Sequence, residues 1–172
     1  MDLKKQILKE HSKEQCKKIV DWVGNDKKKF NELFHLFLSG EYRVTQRSAW
    51  PLSYCVIEHP HFMVDHFEEL LGNLKKPGLH DSIKRNTVRL LQAVNIPAKH
   101  EGGVMEICFK YLESPKEAVA IKAFSLTVLE KLAKKYPALV PEIKLIIEEQ
   151  LPHQSAAFIS RAKEFMKAFS SG

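Results

Sequence analysis

The sequence predicts an all-α chain built from stacked helix pairs. Apolar residues recur at helical spacing through stretches of about 12 to 18 residues, and the turn-forming glycines and prolines fall between those stretches. In addition, two separate sets of helices each repeat along the chain with nearly the same period.

Breaks are expected at Gly24-Asn25, Ser39-Gly40, His59-Pro60, Pro77-Gly78, Pro97, Gly102-Gly103, Ser114-Pro115, Tyr136-Pro137 and Pro152. Proline lacks the N–H that a helix interior needs and drives the residue before it out of helical conformation. Roughly ten helices result. Pro51 falls inside an apolar-periodic stretch beside Trp50, where it either begins the regular helix or kinks it.

In the first helix set, Phe30, Phe67, Val104 and Leu139 recur at intervals of 37, 37 and 35 residues. Four residues on stand Phe34, Leu71, Cys108 and Ile143, and seven on stand Phe37, Leu74, Tyr111 and Ile146. In the second set, Val44, Ile83, Ile121 and Phe158 recur at 39, 38 and 37, each followed four residues later by a small one: Ser48, Thr87, Ser125 or Ala162. Leu52, Leu91, Leu129 and Met166 follow at the eighth position, and Cys55, Val94, Leu132 and Phe169 at the eleventh. These offsets trace one helical stripe, in which the small residue admits a neighbouring helix and the larger ones fill the space beyond it.

A first helix, a short turn and a second helix opening on an aliphatic-basic pair resemble a HEAT repeat of the armadillo-type superfamily. The matching residues include Ile83-Lys84 with Thr87 and Leu91, and Ile121-Lys122 with Ser125 and Leu129, with Asp81 or Glu117 in the turns. The resemblance implies a right-handed α-α superhelix of about four to five helix pairs. One domain, residues 1–172, is expected: a cap and half repeat at 1–26, then repeats at 27–60, 61–97, 98–136 and 137–170. Cys16, Val20 and Val23 carry the stripe of the half repeat, and Leu3, Ile7 and Leu8 that of a capping helix.

With 27 basic and 21 acidic residues the formal charge is +6, which favours anionic partners without a concentrated basic tract. The first fifteen residues lack the apolar stretch of a secretory signal and no segment approaches a membrane span, so the expected location is the cytoplasm. Cys16, Cys55 and Cys108, each among apolar residues at helical spacing, are expected as reduced core thiols.

No phosphate loop, dinucleotide fingerprint, zinc-protease or nucleophile-elbow pattern occurs, and no catalytic residue, metal ligand or cofactor is expected. His59, His61, Asp65 and His66 have a spacing that suits a divalent ion, with His61 and Asp65 on one helix face. Without a second ligand cluster they are expected as surface or capping groups. Gly102-Gly103 is expected as a turn before a helix.

The functional candidate is the face of the second helices opposite the apolar stripe. At 100° per residue it carries Lys18 and Trp22, then Arg47, Trp50 and Tyr54, then Arg85 and Arg89, then Lys131 with Lys134, and Arg161. Both tryptophans fall on this ridge, exposed for a ligand or, equally, buried under the N-terminal helices. Aromatics with arginines have the composition of a binding hot spot. The expected function is a non-catalytic scaffold holding an acidic protein or peptide. The second expectation is nucleic-acid binding on the basic concave face, distantly similar to the HEAT-like DNA glycosylases. The oligomeric state stays open.

Overall fold

The computed structural model describes residues 1–170; Ser171 and Gly172, which close the expected domain, lie outside the described residues. Among the described residues there are ten α-helices and no strand: α1 (Leu3–Lys9), α2 (Lys13–Val23), α3 (Lys27–Leu38), α4 (Tyr42–Glu58), α5 (Phe67–Leu74), α6 (Asp81–Leu91), α7 (Ala98–Glu113), α8 (Val119–Lys135), α9 (Val140–Gln150) and α10 (Ala156–Ala168). Short 3-10 turns cover Pro60–Met63, Pro137–Leu139 and Leu151–His153. The helices gather into two compact units, one from Met1 to Asn95 and one beginning at Ile96.

Several helices start on a polar side chain that accepts from an otherwise unpaired first-turn amide. Asp2 accepts from Lys5 N, Ser12 from Gln15 N, Asp26 from Lys28 N and Lys29 N, and His80 Nδ1 from Ser82 N. Gly24 ends α2 with φ +50 while its N–H bonds the Val20 carbonyl, a conformation that glycine enters without a Cβ penalty.

In the first unit, α4 packs on its pair-mate α3 and on the neighbouring second helices α2 and α6; in the second, α8 packs on α7 and α10. Second helix lying on second helix is the packing of a helical-repeat solenoid. The stripe is buried throughout: Val44, Ile83, Ile121 and Phe158 are buried, as are Ser48, Thr87, Ser125 and Ala162. Ser48 Oγ donates to the Val44 carbonyl at 2.6 Å and Thr87 Oγ1 to that of Ile83 at 2.7 Å, so these hydroxyls meet their hydrogen-bonding need within their own helix. Leu52, Leu91 and Leu129 are buried behind them, while Met166 and Phe169, near the end of the described chain, are half-buried. In the cap, Leu3 and Ile7 are buried and Leu8 is exposed.

Two sequence expectations are corrected. Gly102 and Gly103 make no turn, because α7 runs through both from Ala98 to Glu113. Each glycine costs a helix about 1 kcal/mol, a cost outweighed by burial of Val104, Ile107, Cys108, Tyr111 and Leu112 along one face. Pro51 does not begin its helix either; α4 starts at Tyr42 and continues through it. The Arg47 carbonyl thereby loses its helical donor, while burial of Ser48, Leu52, Cys55 and Val56 on either side holds the helix.

Charged side chains pin the second unit. Lys122, the basic member of the HEAT-like pair, is 2% exposed; its Nζ donates to the Ser114 carbonyl at 2.9 Å and lies 5.9 Å from the Phe158 ring centre. Desolvation holds its pKa below the ordinary lysine value. Glu101, 4% exposed, accepts from Tyr136 OH at 2.8 Å and from Lys135 Nζ at 3.2 Å, joining the start of α7 to the end of α8. The tyrosine hydrogen bond, followed by the Lys135 contact, holds its carboxyl below the usual range against the opposing effect of burial.

Leu91→Ala, at a fully buried stripe position, is expected to cost about 2 to 5 kcal/mol of unfolding free energy in urea titrations followed by circular dichroism. For Glu101 the folded pKa is the lower one, so its contribution is complete above the ordinary carboxylate range and is lost as pH falls through the folded value. The difference in urea midpoint between the wild type and Glu101→Gln is therefore expected to shrink between neutral pH and about pH 3; a difference constant over that range refutes the assignment.

Candidate functional site

In the first unit α2, α4 and α6 lie side by side. Contacts between α4 and α6 advance together along both helices: Ser82 Oγ donates to the Gln46 carbonyl at 3.2 Å, Ser53 Oγ to Asn86 Oδ1 at 3.3 Å, and Arg89 Nη2 to Tyr54 OH at 3.3 Å. The two helices therefore run in the same direction. So do α2 and α4, since Trp50 lies against His11 before the start of α2 while the Glu58 charge acts on Lys17 farther along. Asn86 Nδ2 donates in turn to the Ser82 carbonyl at 2.8 Å, and this buried ladder sets which turn of α6 faces which turn of α4.

A groove of about 250 Å³ opens between α2 and α4, lined by Lys13, Cys16, Lys17, Val20 and Asp21 from one helix and Trp50, Tyr54 and Glu58 from the other. Cys16 and Val20 make an apolar floor. Burial pushes the Cys16 thiol up to about 12, with the Arg89 guanidinium pulling the other way, so the thiol stays neutral. Trp50 and Tyr54, one turn apart with ring centres 6.4 Å apart, form the aromatic wall. Arg89 stacks on the Tyr54 ring at 4.8 Å, and Arg85 stands exposed one turn before it on α6. Across the groove Lys17 is held by Asp21 at 2.6 Å, an exposed pair that raises the lysine pKa.

The ridge residues expected from the sequence divide by location. Trp50 and Tyr54 line the groove and Arg89 stacks on Tyr54 beside it, while Arg85 is exposed one turn earlier on α6. Trp22 instead sits half-buried at the α2–α3 corner, with Lys29 Nζ 5.0 Å from its ring centre and bonded to its carbonyl at 3.1 Å. Half-buried Arg47 donates from Nη1 to the Leu8 carbonyl at 2.8 Å, satisfying an unpaired acceptor in the last turn of α1. Lys18 is exposed on α2, next to the Lys17 that lines the groove. In the second unit Lys134 is exposed, Lys131 is half-buried with its pKa lowered by desolvation, and Arg161 Nη1 donates to Thr127 Oγ1 at 2.8 Å, bridging α10 to α8.

Lys13, Lys17, Asp21 and Glu58 belong to the groove and were absent from the expected ridge. The projection from the stripe points directly away from the core, whereas the groove opens at the flank between two neighbouring helices, one residue back along α2. Of the histidine group, the His59 and His61 rings stay together at 5.8 Å while Asp65 and His66 turn to other partners. His61 lies in the Pro60–Met63 turn, Asp65 pairs with Lys27 at 3.0 Å, and His66 Nε2 lies 3.0 Å from Asn31 Oδ1 with its ring 4.6 Å from that of Phe34. Among the described residues no group of three or more His, Cys, Asp or Glu side chains is arranged to hold a metal ion, and no helix is long and apolar enough to cross a membrane.

Residues 3–169 match the family model of the HEAT repeat domain. The chain belongs to the HEAT repeat family. HEAT repeats commonly serve as protein-interaction scaffolds, and the family is typically non-catalytic. No curated protein and no solved structure matches the chain.

Burial also pushes the Cys55 thiol up to about 12, and that of Cys108 likewise. All three thiols of the native protein are therefore expected to resist iodoacetamide at about pH 8 and to react on unfolding, with mass spectrometry counting the adducts. Rapid native labelling of Cys16 would show that its thiol is neither buried nor held neutral.

Proposed function

We propose that this HEAT-repeat chain is a non-catalytic scaffold that holds an acidic protein or peptide on the exposed side of its second helices, with Trp50, Tyr54, Arg85 and Arg89 at the centre of the contact. The observation that carries this is the Arg89 guanidinium stacked on Tyr54 beside Trp50, at the edge of an open groove. A stacked guanidinium is already oriented, so it loses little entropy on pairing with a carboxylate. The aromatic rings add apolar contact area with few rotatable bonds. Family membership supports the same reading, and three buried free cysteines suit a reducing compartment, where we place the protein: the cytoplasm.

The structure also decides which basic residues make a fair test. Arg47 is engaged with α1, so reversing it would loosen the cap as well as alter the surface. Arg85 and Arg89 carry the test instead. Polyglutamate is expected to change tryptophan emission saturably, and Arg85→Glu with Arg89→Glu to weaken that response about tenfold while leaving the thermal midpoint within a few degrees. If duplex DNA binds more tightly than polyglutamate, with affinity falling steeply between two salt concentrations, the partner is a nucleic acid. A large fall in the thermal midpoint would mean that the two arginines are structural.

A further inference from the structure

We propose that the three-helix face of the first unit receives an acidic amphipathic helix of a partner protein, one large apolar side chain entering the groove against Trp50 and Tyr54 and its carboxylates meeting cations on the flanks. The inference rests on the scaffold reading and adds the shape and polarity of the partner.

At about 250 Å³ the groove is smaller than the roughly 300 to 1,000 Å³ typical of small-molecule and cofactor sites. It has room for one or two side chains over the apolar floor of Cys16 and Val20. That is the form of a hot-spot pocket, in which one anchor is desolvated and its neighbours exclude water.

The arrangement of rows selects a helix. α2, α4 and α6 run in the same direction, so three rows lie side by side: Lys13 and Lys17, Trp50 and Tyr54, Arg85 and Arg89. Within each row the step is four residues, about 6 Å of helix rise. An extended strand turns a single row of side chains toward a surface and the alternate row away from it. A helix presents an apolar stripe with polar residues on both sides, and so reaches all three rows at once. Carboxylates along one flank would meet the wholly basic α6 row, where Arg89 spends one N–H on the Tyr54 hydroxyl and keeps others to donate.

The remaining charges give the bound helix a direction. At the Trp50 end of the groove Lys13 is exposed; at the other end Asp21 and Glu58 lie together with Lys17 between them. A partner with acidic residues along its length therefore carries a basic residue where it passes Glu58, since a carboxylate there would face two others.

The test makes Trp50 the sole emitter with Trp22→Phe and titrates synthetic helices of about 18 residues. One peptide carries leucines at helical spacing flanked by glutamates, a second replaces the leucines with serine, and a third replaces the glutamates with glutamine. The first is expected to shift Trp50 emission to the blue and to bind at least about tenfold more tightly than either control. Lys13→Glu, at an exposed side chain, is expected to weaken it about tenfold at unchanged urea midpoint, and Tyr54→Phe to weaken it less than Tyr54→Ala. Suppose instead that the serine peptide binds as tightly as the leucine peptide and both are lost with Arg85→Glu and Arg89→Glu. The groove inference then falls while the acidic-partner scaffold stands. If no peptide binds, or if only duplex DNA does, both readings fall.

Discussion

The structure depends on the burial of one helical stripe along each second helix, with a small side chain at its fourth-residue position. Ser48, Thr87, Ser125 and Ala162 are buried at equivalent positions, and larger side chains there would hold the helices apart. Three of the four carry hydroxyls, and those of Ser48 and Thr87 donate a hydrogen bond to the carbonyl one turn back, which keeps a polar group in the interior at little cost. Once the helices are that close, the leucines at the eighth position have no route to solvent. Helices of this length are marginal alone, and the packing of this stripe makes them stable.

Charged residues then secure what the stripe leaves loose. Lys122 reaches inward from α8 to the carbonyl of Ser114, and Glu101 is held between Tyr136 and Lys135. Both are buried charges with specific partners, so each is costly to break and confines the pair to one arrangement. Arg47 does the same for the N-terminal cap by taking the carbonyl of Leu8. In the first unit the polar ladder from Ser82 through Asn86 to Ser53 fixes the register of α6 against α4 and so brings Arg89 onto Tyr54.

This division explains what kind of surface the chain offers. Residues used to brace the fold are unavailable to a partner, which removes Arg47 and Trp22 from the binding inventory although their chemistry suits it. What is left is a row of aromatics between cations on parallel helices.

The sequence alone determined the repeat. Equivalent residues returning every 35 to 39 positions, at offsets of four, eight and eleven, can be satisfied together only by helices stacked in register, so the stripe, the ten helices and the buried thiols were legible without coordinates. Local signals misled where tertiary packing overrides them: the glycine pair in α7 looks like a break, and burial of the flanking apolar face carries the helix through it, as it carries α4 through Pro51. Half of the candidate site in the first unit was legible, namely Trp50, Tyr54, Arg85 and Arg89, because they lie opposite the stripe. Lys13, Lys17, Asp21 and Glu58 were not, and neither was the withdrawal of Arg47 and Trp22, because those roles are set by a second helix that sequence periodicity cannot position. Periodicity reports the angle of a side chain about its own axis; which neighbour fills that direction is decided only when the helices meet.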